Sequence, residues 1–106
     1  MNKIYLENLL DYELVERGTE CAGSGRSQGE KETLEACAAS CRSSAQLFVY
    51  GTREFGTSKC SIKKCECWCQ DETENRKCKN TISNAGFNLY KFNGKLDKDS
   101  YDKICT

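Results

Sequence analysis

The chain has 106 residues, room for one domain and one main core. Its sixteen basic residues balance sixteen acidic ones, so no global field favours nucleic acid, and no apolar run approaches the roughly 20 residues of a membrane-spanning helix. Histidine is absent, which removes the commonest metal ligand and most nucleophile–base pairs; nine cysteines and a hydrophobic content of only 38% point to a domain held together by cross-links as well as burial.

The opening stretch (Ile4, Tyr5, Leu6, Leu9, Leu10, Leu14, Val15) changes from helical to strand-like spacing. It predicts a short helix over 3–10 and a strand over 11–17 closed by Gly18. Gly23 to Gly29 reads as a loop; its Gly-x-Gly spacing is no phosphate cradle, because no Lys-Ser/Thr follows it. Ser27 and Glu30 have capping-box spacing, and Leu34, Cys37, Ala38 and Cys41 fall on one helical face. An amphipathic helix over 29–43 is expected, with Glu30, Glu32 and Glu35 near its positive end and Arg42 near its negative end.

Beyond Ala45 the period becomes two. Leu47-Phe48-Val49-Tyr50 reads as a strand ended by Gly51, followed by a loop holding Arg53, Glu54 and Phe55. Lys59–Lys63 and Cys65–Gln70 read as two short strands, 71–80 as a surface loop, and Gly86–Phe92 as the closing strand. The organisation expected is an N-terminal segment over 1–18, a disulfide-stapled domain over 19–92 and a charged tail over 93–106. Residues 1–35 carry eight acidic and four basic side chains, while 36–106 carry eight acidic and twelve basic. Such a dipole permits head-to-tail contact between copies but is explained as well by a solvated surface.

The cysteines are placed geometrically. Cys37 and Cys41 stand one helical turn apart, and Cys65, Cys67 and Cys69 share one face of a strand. A helix laid across that strand is positioned for two adjacent bridges, so Cys37 and Cys41 are expected to pair among Cys60, Cys65, Cys67 and Cys69. Cys21, Cys78 and the remaining strand cysteines are left for outer bridges, their pairing open. Nine is odd; Cys105 is the candidate for a bond between chains, making a covalent homodimer, or for a free or capped thiol.

Nine thiols without histidine or a Cys-x-x-Cys pair suit an oxidising compartment, so the protein is expected to be secreted or extracellular. The chain opens Met1-Asn2-Lys3 without a basic-then-apolar leader, so the expectation is a mature or recombinant segment from which any signal has been removed. No Asn-x-Ser/Thr acceptor occurs. The Cys-x-Cys-x-Cys run does not have the C-x2–4-C spacing of structural zinc sites, so no metal or other cofactor is expected.

Leu34-Glu35-Ala36-Cys37-Ala38-Ala39-Ser40-Cys41, then Phe48-Val49-Tyr50, then Lys59-Cys60-Ser61-Ile62, with the late Gly86-Phe87-Asn88-Leu89-Tyr90, resembles the PAN/apple-like domain family over residues 12–92. That resemblance implies a helix carrying Cys-x3-Cys on a small sheet and a non-catalytic role in binding proteins or carbohydrates. The chain departs from the pattern in lacking a cysteine at Ser44–Leu47 and in adding Cys65, Cys67, Cys69 and Cys105.

An enzyme is not expected: the serines have no base partner and no carboxylate pair stands out. Binding is the better use of these residues. Trp68 faces away from the cysteine side of its strand, either as a contact residue or in a second small core. Arg53 and Phe55 sit on a loop between two glycines, and Lys63 and Lys64, with Arg76, Lys77 and Lys79, supply local positive charge. The expected protein is thus an α+β, disulfide-rich, apple-like domain, with one main helix packed on a short antiparallel sheet. It would be secreted and would recognise a protein or carbohydrate ligand in adhesion, without nucleic-acid binding or membrane insertion. The alternative is a small secreted effector, toxin-like, pheromone-like or an inhibitor, acting on a receptor or enzyme.

Overall fold

The computed structural model describes residues 10–56 and 58–93. Five strands form one antiparallel sheet: β1 (Tyr12–Cys21), β2 (Gly25–Lys31), β3 (Leu47–Gly51), β4 (Cys65–Gln70) and β7 (Thr81–Phe92), in the order β1-β7-β3-β4-β2. Among the described residues a small hairpin, β5 (Thr73–Glu74) with β6 (Lys77–Cys78), and one helix, α1 (Leu34–Cys41), accompany the sheet. The fold is a small disulfide-rich α+β domain, mostly strand. The helix expected over 3–10 and Cys105 in the tail lie outside the described residues.

The sheet has two apolar faces because β3 and β7 alternate two kinds of large side chain. Phe48, Tyr90 and Phe92 face α1, where Phe48 stacks on Tyr90 at 5.2 Å and lies 5.0 Å from Phe92. Tyr12 of β1 meets Phe48 edge-on at 5.6 Å. These rings enclose the fully buried Cys37, Ala38 and Cys41 of α1 together with Cys67 and Cys69 of β4. On the other face Leu47, Val49, Phe87, Leu89 and Cys21 form a second core, flanked by Trp68 and Cys78.

The expected staple is present, with the pairing resolved: Cys37 bonds Cys67 and Cys41 bonds Cys69, at Cα separations of 5.5 and 5.4 Å. The match is one of pitch. Four helical residues rise about 6 Å, two strand residues about 6.6 Å, so both bridges form without bending either element. Cys21–Cys78 ties β1 to the β5–β6 hairpin, and Cys60–Cys65 closes a loop of four residues.

The second core is closed by curling of the sheet. In a flat sheet β1 and β2 would lie four strand spacings apart, about 19 Å, yet the four Cα steps from Cys21 to Gly25 reach about 15 Å at most. The edges therefore bend toward each other. The register of β1 on β7 slips between Leu14 and Glu16 and between Arg17 and Thr19, which turns the far end of that strand pair over the sheet. Cys21 N–H then donates to Gln70 Oε1 of β4 at 2.9 Å, across the curl.

Several boundaries differ from the sequence reading. Residues 25–31 form edge strand β2 on β4, not a loop and the first turn of a helix. Ser27 does not cap: its Oγ accepts from Gly29 N–H at 3.2 Å, at a bulge where Gly29 takes φ +75°. Thr33 caps instead, extended in backbone, its Oγ1 accepting from Ala36 N–H at 3.0 Å. Strand pairing up to Lys31 delays the helix to Leu34, and it ends at Cys41 rather than residue 43. β1 runs on past Gly18 to Cys21; β7 begins at Thr81 rather than Gly86; Lys59–Lys63 holds only the single bridge Cys60–Cys65; and the loop expected over 71–80 contains β5 and β6.

Candidate functional site

Two places gather the candidate residues. At one end of the sheet, Arg53 follows β3 and reaches across to the Cys60–Cys65 loop. Its Nη2 donates to the carbonyls of Ser61 and of Ile62, the latter at 3.1 Å. That loop is also held from within: Ser61 N–H donates to Lys64 O at 2.7 Å, and Glu66 N–H to Lys59 O at 2.8 Å. A disulfide, a turn and a guanidinium thus fix four residues, Ser61-Ile62-Lys63-Lys64. Ile62 at its tip is 94% exposed, with Lys63 and Lys64 exposed beside it.

Arg53 is therefore a scaffold for the display of Ile62, Lys63 and Lys64, its guanidinium occupied by backbone. Phe55 is half exposed, its ring edge 3.4 Å from where a Cβ on Gly18 would stand, so it leans on β1 across the gap that glycine leaves. Beside it Glu54 pairs with Arg17 at 2.6 Å. Ile62 carried no signal beyond its apolar character: only its position between two cross-linked cysteines exposes it.

Trp68 lies elsewhere, on the face of the sheet opposite α1. It packs against the second core and also lines a cleft of about 190 Å³. Its indole Nε1–H donates to Glu66 Oε1 at 3.1 Å, an interaction between same-face neighbours on β4. Across the cleft Asn84 of β7 donates its amide to Glu20 Oε2 of β1, and Lys59 Nζ sits 5.5 Å from the centre of the Phe87 ring. Glu66 neighbours the indole through strand alternation alone, whereas Glu20, Lys59 and Asn84 come from three further stretches that the curl of the sheet brings round it.

Other polar groups are structural. Arg42 forms two hydrogen bonds to Asp11, at 2.7 and 3.0 Å, and one to Glu35 at 3.1 Å, holding β1 to α1. Arg26 grips Asp71 at 2.9 and 3.1 Å and reaches Ser44, anchoring edge strand β2. Burial raises the phenol pKa values of Tyr12, Tyr50 and Tyr90, Tyr12 further through its hydrogen bond with Glu35. Among the described residues no group of three or more acidic, cysteine or histidine side chains could hold a metal ion, and no helix is long and apolar enough to cross a membrane. Four disulfides in so small a domain are typical of extracellular proteins. No family model, curated protein or solved structure matches this chain.

Proposed function

We propose that this chain is a secreted, non-catalytic recognition module that docks on a protein through its Cys60–Cys65 loop. The observation that carries the reading is Ile62, 94% exposed on a loop fixed by a disulfide and by Arg53. A single exposed apolar side chain is ordinary on a protein surface. An apolar side chain held on a clamped tip is different, because its loop is ordered before binding and little conformational entropy remains to be lost in the complex. Lys63 and Lys64 beside it favour an apolar pocket with an acidic rim, steering encounter while Ile62 fills the pocket.

The apple-like reading rests on the order of its parts: a Cys-x3-Cys helix, a Phe-x-Tyr strand and a late aromatic strand. Secretion rests on the disulfides. The test is affinity capture from extracellular fluid of the source tissue with the oxidised protein, alongside Ile62→Asp and the double variant Lys63→Glu/Lys64→Glu. The reading expects a bound protein that both variants lose while keeping all four bridges. Identical capture by the three forms would remove the loop from the account.

A further inference from the structure

We propose that the cleft over Trp68 binds one neutral sugar ring, a pyranose presented as a single unit or as the end of a glycan. The inference is independent of the docking loop and rests on the size, walls and charge of the cleft. Its volume of about 190 Å³ is that of about six waters in the liquid, enough for a hexose-sized ring and below the roughly 300 Å³ at which sites for drug-sized ligands begin.

The walls suit a ring with one apolar face and a polar edge. Trp68, half-buried, supplies the aromatic surface, and the buried Phe87 closes the cleft beneath Lys59. Gly25 keeps the mouth open: a Cβ there would stand 2.8 Å from Gln70 Nε2 and 3.6 Å from Trp68 Cε3, narrowing the approach to the indole. Around the aromatic surface are hydrogen-bond acceptors, as sugar hydroxyls require. Glu66 has one carboxylate oxygen engaged by Trp68 and Glu20 has one engaged by Asn84; for the second oxygen of each, no partner is found among the described residues. These hydrogen bonds orient both carboxylates before any ligand arrives.

Charge narrows the class. Two carboxylates against one ammonium, Lys59, leave the cleft net negative, which disfavours sulfated, phosphorylated or carboxylated ligands. A cationic ligand would have to sit against the like charge of the Lys59 ammonium, which lies 5.5 Å from the centre of the Phe87 ring. A neutral polyol meets neither obstacle.

Trp68 is the sole tryptophan of the chain, so its emission reports this cleft alone. The intact oxidised protein would be titrated with methyl glycosides of glucose, galactose, mannose and N-acetylglucosamine, and with galactose 6-sulfate and ethylammonium as charged probes. A saturable emission change with at least one neutral sugar is expected. Glu66→Gln, which can still accept from the indole, should weaken it by about tenfold, the loss of a charge-assisted hydrogen bond. Gly25→Val should abolish it with all four bridges intact, and Ile62→Asp should leave it unchanged. No saturable response to any neutral sugar, or tighter binding of either charged probe, would overturn the proposal, whatever the capture experiment on the loop returns.

Discussion

Cys37 is bonded to Cys67 at a Cα separation of 5.5 Å, and one helical turn further the same relation recurs between Cys41 and Cys69 at 5.4 Å. The two bridges close nearly the same stretch of chain, 30 and 28 residues, so they share most of their effect on the unfolded state. With one bridge gone the other still closes the long loop, and only a ring of about eight residues is released, worth about 2.5 kcal/mol. Loss of both releases the long loop as well, about 6 kcal/mol in all. Urea unfolding of Cys37→Ala/Cys67→Ala should show a clear drop in midpoint, while the fourfold variant should not fold under the same conditions.

The helix start supplies a second test. Thr33 Oγ1 accepts from Ala36 N–H, whereas Ser27 Oγ serves the bulge of β2. Thr33→Ala should cost about 1 kcal/mol through the lost N-cap. Ser27→Ala, on an exposed edge strand, should change the unfolding midpoint little and leave exchange protection of α1 amides intact.

That misplacement shows where the sequence was legible and where it was not. The staple could be read because residues four apart on a helix and two apart on a strand have fixed geometry, and β3 because its apolar run is strand-like on any count. β2 could not: Gly-Arg-Ser-Gln-Gly-Glu-Lys has no apolar residue, and it is a strand only because β4 offers it a backbone partner and Arg26 finds Asp71. The same pairing overrode the capping-box spacing of Ser27 and Glu30. The full pairing was open for a related reason, since Cys21 meets Cys78 only once β1 has paired with the distant β7, where Cys21 lies opposite Thr81. Of the site, Trp68 could be put on the face away from the cysteines from alternation alone. Glu66 shares that face by the same alternation, but the approach of Glu20, Lys59 and Asn84 depends on strand order, for which no short-range signal exists.

Arg53 offers a test of the clamped loop. Arg53→Met keeps the aliphatic stem but removes both hydrogen bonds that Nη2 donates to the carbonyls of Ser61 and Ile62. The loss at this exposed site should be about 1 kcal/mol. Hydrogen exchange should quicken over residues 61–64 while the core strands stay protected, and binding through Ile62 should weaken as its loop becomes something the complex must order.

The partly buried phenols set a high-pH limit. Tyr12, Tyr50 and Tyr90 hold their protons in the folded chain above the ordinary tyrosine value of about 10, chiefly because burial disfavours the phenolate. Above pH about 10 the unfolded chain therefore binds fewer protons than the folded one, and stability falls with rising pH; below that value their contribution is fully present. Phenolate absorbance should appear at higher pH in the folded protein than in the urea-unfolded protein. Tyr90→Phe should remove part of that delayed fraction.

Two parallel sulfur bridges join helix α1 to strand β4 of the curled sheet. Digestion of the untreated protein at acid pH, followed by mass mapping of linked peptides, tests it most directly. The account predicts Cys37 with Cys67 and Cys41 with Cys69, beside Cys21 with Cys78 and Cys60 with Cys65. Recovery of Cys37 or Cys41 as a free thiol, or bonded to each other, would contradict it.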